Sequence, residues 1–184
     1  MSAKQEVTIN AARIPSLRDI VIQARPKQML KNGLVLVPLF FTVNIWYNSS
    51  DLSGMSSIIT RALAALGIFI LISAAVYFIN DSADAKKDRI HPRKRFRPIA
   101  AKRISVPWAV GIATLMIIGG LSSAYLISVP LLITTASYLS INIAYSWWIK
   151  NIILLDVMIV ASGFVLRAVA GSIAIDHAII ESPG

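Results

Sequence analysis

The sequence contains no cysteine, which excludes disulfides and thiolate metal sites alike. It has little charge: 15% of its 184 residues are charged, and acids are outnumbered nine to eighteen by bases, for a net charge of +9. With 56% hydrophobic residues and a mean hydropathy of +0.69, the chain is too apolar for an ordinary soluble domain and points to a bilayer. It lacks internal repeats, low-complexity tracts and any soluble second domain. The first 31 residues hold six Lys/Arg and no long apolar run, so they do not read as a cleavable signal peptide.

What is present is a succession of hydrophobic blocks, at 32–47, 58–79, 105–123, 125–148 and 152–175. Each approaches the roughly 20 residues that cross about 30 Å of hydrocarbon as a helix, because backbone exposed to lipid must satisfy its own hydrogen bonds. The first is short and contains Pro38, so its span is allowed to begin as early as Gln28. The predicted architecture is therefore an all-α membrane protein, a multi-span helical bundle with about five transmembrane helices. Residues 1–31 form a segment ahead of it, in which Leu17, Ile20, Val21 and Ala24 fall at the spacing of a short amphipathic helix on the membrane surface before Pro26.

The basic residues alternate with the apolar blocks, a pattern that suits positive-inside loops rather than nucleic acid. Nine Lys/Arg lie between the second and third blocks, whereas the turn between the third and fourth has no charge. This places the N-terminus and the 80–104 loop in the cytoplasm. Tyr47, Tyr77, Trp108, Tyr125, Trp147 and Trp148 stand near block ends, where interfacial aromatic residues gather.

Chemistry concentrates in the stretch that follows the second block. If that helix continues past the membrane surface, 100° per residue puts Asn80, Asp81, Asp84 and Asp88 within an arc of about 100°. Such an oxygen-rich face suits a hard divalent cation, and Mg²⁺ in particular keeps waters and takes further ligands from substrate phosphates. Lys86, Lys87, Arg89, Arg93, Lys94, Arg95 and Arg97 follow, with Pro92 and Pro98 bracketing "RKRFR"; arginine forks match phosphate oxygens. The plainer reading is a positive-inside loop balanced by helix-end aspartates, which leaves three aspartates on one face unexplained. Arg25, Lys27 and Lys31 precede the first span, either reaching the same cavity or anchoring lipid headgroups. Arg167 lies within the fifth block, where ionisable side chains face a cavity or a partner; Asp156 shares its face but is about 16 Å away along the axis. Ala161, Gly163, Ala168, Ala170 and Gly171 are small enough for close helix packing. Neither histidine is placed for catalysis: His91 precedes a proline in the basic loop, and His177 follows the last block.

The stretch "NDSADAKKD", residues 80–88, resembles the NDxxDxxxD signature of the UbiA-type intramembrane prenyltransferase superfamily. Its extension "RIHPRKRFRPIA", together with "ARPKQMLKN" and "LDVMIVASGFVLRAVAGSIAI", is similar to the branch of decaprenyl-phosphate phosphoribosyltransferases, over roughly residues 24–175. The resemblance implies a helical membrane fold in the bacterial inner membrane, with Mg²⁺ and a diphosphate held by Asn80, Asp81, Asp84 and Asp88 at a cytoplasmic cavity. It further implies phosphoribosyl pyrophosphate as donor, a polyprenyl phosphate as acceptor and a role in cell-wall precursor synthesis. Lys94, Arg95 and Arg97 become phosphate ligands, joined by Arg25, Lys27, Lys31 and Arg167 as substrate-binding candidates.

The same resemblance implies about nine spans and a second polar motif, for which neither Asp156 nor Asp176 has the neighbours. On this reading residues 32–184 are an incomplete transmembrane domain, completed by a second half or by an oligomer. Two enzyme readings share the first motif: phosphoribosyl transfer, and transfer of a prenyl group from its diphosphate to an aromatic acceptor. The long basic extension favours the first. A non-catalytic membrane subunit, an inactive remnant or an anion transporter is the alternative of another class; it predicts anion binding without metal dependence.

Overall fold

The computed structural model describes residues 14–47, 50–145 and 153–181. Among these, regular structure is helical throughout: α1 Leu17–Ala24, α2 Pro26–Met29, a 3-10 stretch Leu30–Leu36, α3 Val37–Phe41, α4 Val43–Trp46, α5 Leu52–Ala83, α6 Ala85–Ile90, a 3-10 turn Lys94–Phe96, α7 Val106–Ile127, α8 Val129–Ala144 and α9 Ile153–Glu181. Three helices, Leu52–Ala83, Val106–Ile127 and Val157–Ile179 within α9, are long and apolar enough to cross a membrane, and α8 is a shorter apolar helix. The chain is an all-α integral membrane protein.

Local chemistry sets the ends of these helices. The Asp51 carboxylate accepts from the Gly54 N–H at 2.9 Å and so caps α5. No proline interrupts the next 32 residues, giving a rod of about 48 Å. Ser105 caps α7, with Pro107 in its first turn, and Ser128 alone separates α7 from α8. Ser128 is extended, its hydroxyl accepts from the Leu131 N–H, and Pro130 again sits in the first turn, so the chain reverses there rather than at 124 as the apolar pattern suggested.

The α5 helix is the hub. More than half of its most apolar window (56%) is buried, against 17% for α7, which therefore turns most of its surface toward lipid. Its buried side chains Phe69, Ile72 and Val76 join Val35, Leu131, Tyr138, Ala170 and Ala174 in the main core. A second cluster at the far end of α5 combines Ala75, Phe78, Ala85, Ala109 and Ala113 with Ile99 and Ile104 from the basic loop, and Ile20 and Ala24 of α1 pack on it. Two of the four apolar positions of α1 thus face protein, while Leu17 and Val21 stay exposed.

The first expected span departs most from its pattern. Residues 30–46 are not one helix but a 3-10 stretch followed by two short helices. Pro38 cannot donate to a helical ladder, the Thr42 hydroxyl donates to the Pro38 carbonyl at 2.8 Å, and Thr42 leaves helical geometry at φ −102°, ψ 13°. Broken backbone at this depth is sustained because it packs on α5 and α9, with Val35 fully buried. Gly171 makes that approach feasible: a Cβ there would collide with the Val35 carbonyl. Trp147, Trp148 and Lys150 lie outside the described residues.

Gly171→Ala is accordingly expected to lower stability by about 1–3 kcal/mol, since a backbone carbonyl cannot swing aside. Gly67→Ala, in open space, is expected to cost nothing. Thermal unfolding of both variants in detergent checks this, and equal midpoints would refute the close approach.

Candidate functional site

The α5 rod breaks at Asp84 (φ −87°, ψ 3°), and α6 restarts the helix at Ala85. Asp81 and Asp88, on either side of this break, are both buried. One Arg97 nitrogen, Nη1, donates to Asp81 Oδ1 at 3.0 Å and to Asp88 Oδ2 at 2.7 Å, so a single guanidinium bridges the two carboxylates. Arg25 Nη2 donates to both Asp81 oxygens at 2.6 and 2.7 Å, and Gln23 Nε2 to Asp81 Oδ2 at 2.7 Å. Lys94 Nζ stands 3.9 Å from Asp88 Oδ1 with its side chain 45% exposed. Asn80 and Asp84 are half-buried at the same helix junction.

Arg25 reaches Asp81 from an unusual backbone. It links α1 to α2 in the left-handed region at φ 56°, just before Pro26. A non-glycine residue there costs about 1–2 kcal/mol, which its ion pair and its stacking 4.7 Å over the Tyr77 ring offset. The basic loop is pinned from below by Ile99 and Ile104 and at its rim by Arg103 Nε, which donates to Asp19 Oδ1 at 2.7 Å. The Ser16 hydroxyl and then Arg103 hold the Asp19 carboxyl below its usual range, against a small opposing effect of burial.

Not every basic candidate joins this cluster. Lys27 is exposed, and Arg95 lies over the Phe96 ring at 4.9 Å instead of facing an aspartate. His91 is exposed, and its Nδ1 accepts the backbone N–H groups of Arg93 and Lys94. His177 Nδ1 lies 2.9 Å from Arg61 Nη1 on α5, 20 residues before Asp81.

Deeper in the bundle Arg167 of α9 is 7% exposed. It donates through Nε to Asn32 Oδ1, through Nη1 to the Gly163 carbonyl and through Nη2 to the Tyr138 hydroxyl, each at 2.7 Å. Ser73 of α5 closes the network with Asn32 at 3.1 Å and Tyr138 at 3.2 Å. A cavity of about 170 Å³ opens beside Arg167, and Lys31, Tyr77 and Tyr138 are among its walls. Tyr77, expected as an interfacial anchor, thus stands between the carboxylate cluster and this cavity. Gln23, Asn32, Ser73 and Tyr138 escaped the sequence reading. The available signal was polar side chains recurring inside apolar blocks, as in Thr134, Thr135, Tyr138 and Asn142.

Residues 35–183 match the UbiA prenyltransferase family, and the chain belongs to it. Among its relatives are decaprenyl-phosphate phosphoribosyltransferases of Mycolicibacterium smegmatis, 36% identical over 85% of this chain and 48% of that protein, and of Corynebacterium glutamicum, 37% identical over 86% and 47%. The same enzyme of Mycobacterium tuberculosis is 31% identical over 84% and 50%. The chain spans about half the length of the curated relatives it matches.

Arg97→Gln leaves Asp88 buried with only the distant Lys94, and is expected to cost about 3–5 kcal/mol. Lys94→Gln, at an exposed edge, should cost under about 1 kcal/mol. Comparable losses in thermal unfolding would contradict the bridge. Because the Asp19 carboxyl is depressed in the fold, its pairing stabilises above the ordinary value of about 4 and is lost as pH falls through the folded value. A spin label on a single cysteine introduced at Leu17 should therefore gain mobility only under acid, and already at neutral pH in Arg103→Gln; a label indifferent to both would show that this pair does not hold α1.

Proposed function

We propose that the chain supplies the diphosphate-binding part of an enzyme that transfers 5-phosphoribose from phosphoribosyl pyrophosphate to a polyprenyl phosphate such as decaprenyl phosphate. The site lies at the cytoplasmic face of the bacterial inner membrane, and the product feeds cell-wall precursor synthesis. The observation that carries this reading is the Asp81–Arg97–Asp88 bridge with Arg25 closing on Asp81. These are the charges that a metal diphosphate complements: carboxylates for the cation, guanidinium forks for the phosphate oxygens.

Mg²⁺ fits the donor set. Among the described residues no three His, Cys, Asp or Glu side chains converge to hold a metal on their own. Mg²⁺ does not need that, since it commonly binds one or two carboxylates and completes its shell with water and substrate phosphate. The buried Gln23 Oε1, with no hydrogen-bond partner beside Asp81, is an acceptor suited to a cation or its bound water. Asp81 and Asp88 would hold the ion, with Asn80 and Asp84 alongside. When bound, it neutralises charge on the departing diphosphate.

The reaction breaks the bond between the sugar's C1 and a diphosphate oxygen, the electron pair leaving with diphosphate, and forms a bond from C1 to an oxygen of the acceptor phosphate. Charge develops on the leaving group, where Arg25, Arg97 and Lys94 stand to stabilise it, and Lys27 and Arg95 extend the cationic rim. The acceptor phosphate is already anionic near neutral pH, so no strong general base is required. His91 and His177 are engaged elsewhere, in accord with that.

Phosphoribosyl pyrophosphate with Mg²⁺ should stabilise the chain by about 2.7 kcal/mol at a hundred times its dissociation constant. Chelator, Asp81→Asn or Asp88→Asn should abolish the effect. Labelled phosphoribose transfer to polyprenyl phosphate, run beside a prenyl diphosphate and aromatic acceptor, then reads the reaction. Stabilisation that ignores both metal and the two aspartates would sink the proposal, and product only from the prenyl diphosphate arm would replace it with aromatic prenylation.

A further inference from the structure

The buried charges of this protein are handled in two different ways. At the end of α5 both buried carboxylates have cations against them. Arg167 is just as buried, yet its acceptors are an amide, a peptide carbonyl and a phenol, all neutral, and among the described residues no carboxylate pairs with it. An uncompensated cation is strongly disfavoured in a low-dielectric interior. The position sharpens the problem. Ser73, in the same network, precedes Asp81 by eight residues, about 12 Å along α5, which puts Arg167 well inside the bundle.

The geometry also shows what is left to do. A guanidinium has five N–H donors, and the three bonds of Arg167 use one on each nitrogen, leaving two uncommitted. Three neutral acceptors and the Tyr138 ring, 4.8 Å from the guanidinium carbon, fix the plane of the fork, and the side chain forms part of the cavity wall. Lys31 brings a second cation to the same cavity, the Tyr77 and Tyr138 rings add polar edges, and Phe164 supplies an apolar wall. Two cations, an oriented fork and an apolar wall beside them match a dianionic head on a carbon stem.

We propose that this cavity binds a phosphate monoester, with Arg167 as its deep ligand and Lys31 as its outer one, at a site separate from the carboxylate cluster and adjoining it through Tyr77. This deepens the function proposed above and rests on it for the identity of the ligand, because two substrates of that reaction carry a phosphate monoester: the sugar donor at its 5-position and the lipid acceptor at its head.

The test uses the full chain in phosphatidylcholine nanodiscs and compares three probes by calorimetry: ribose 5-phosphate, farnesyl phosphate, and pyrophosphate with Mg²⁺. Arg167→Gln is expected to weaken monoester binding tenfold or more while pyrophosphate binding is kept; Asp81→Asn should do the reverse. Lys31→Gln, at an exposed position, should lose several-fold and carries the test if Arg167→Gln fails to fold. A loss confined to farnesyl phosphate assigns the site to the lipid, one confined to ribose 5-phosphate assigns it to the sugar, and either supports the proposal. Monoester binding that depends on Arg167 without any pyrophosphate binding would retain the site and remove the proposed reaction. No monoester binding, or binding indifferent to both substitutions, would overturn the proposal and leave Arg167 as a structural pin.

Discussion

The structure around the carboxylates depends on one guanidinium. Arg97 stands on a loop with no regular structure beyond a single 3-10 turn, yet it holds the end of α5 to α6 by bonding a carboxylate from each. Remove it and two buried carboxylates approach each other with less to separate their charge. Ile99 and Ile104 fix the loop only as apolar anchors, which set depth but not direction. Arg25 then brings the N-terminal segment to the same carboxylate. Four segments distant in sequence, α1, α5, α6 and the basic loop, meet on a few charge-assisted hydrogen bonds of 2.6–3.0 Å.

The membrane imposes the second constraint. Between apolar helices burial supplies little driving force, so packing and interhelical hydrogen bonds hold the bundle together. The Arg167, Asn32, Ser73 and Tyr138 network serves in that way, since it ties α9, the 3-10 stretch before α3, α5 and α8. It also accounts for the irregular backbone of residues 30–46: Asn32 must turn inward to meet Arg167, and a lipid-facing helix would not place it there.

The sequence made the class and the long helices legible because their signals are local. A run of apolar residues without proline can only be a helix in lipid, and α5 and α9 follow from that alone. The break in 32–47 depended on Pro38 and Thr42 acting together with packing on Gly171, a partner 133 residues from Pro38. At the site, one-face spacing drew attention to Asp81, Asp84 and Asp88, but periodicity says nothing about a loop, so the inward turn of Arg97 and outward turn of Arg95 were indistinguishable beforehand. Tyr77 looked like an interfacial residue because a tyrosine near a span end usually is one. What distinguishes it is Arg25, which reaches its ring only because the backbone adopts a left-handed turn before Pro26. Gln23 and Ser73 are ordinary polar residues until their partners, 58 and 41 residues away, are known.

The length of α5 couples this chemistry to the host bilayer. A helix of about 48 Å exceeds a hydrocarbon layer of about 30 Å by several turns, and its carboxylates sit at one extremity. A thicker or sterol-stiffened bilayer is met by a more upright rod, a thinner one by tilt. Hydrophobic mismatch therefore sets how far the carboxylate cluster stands from the lipid headgroups, and with it the local surface potential that an incoming polyanion must cross.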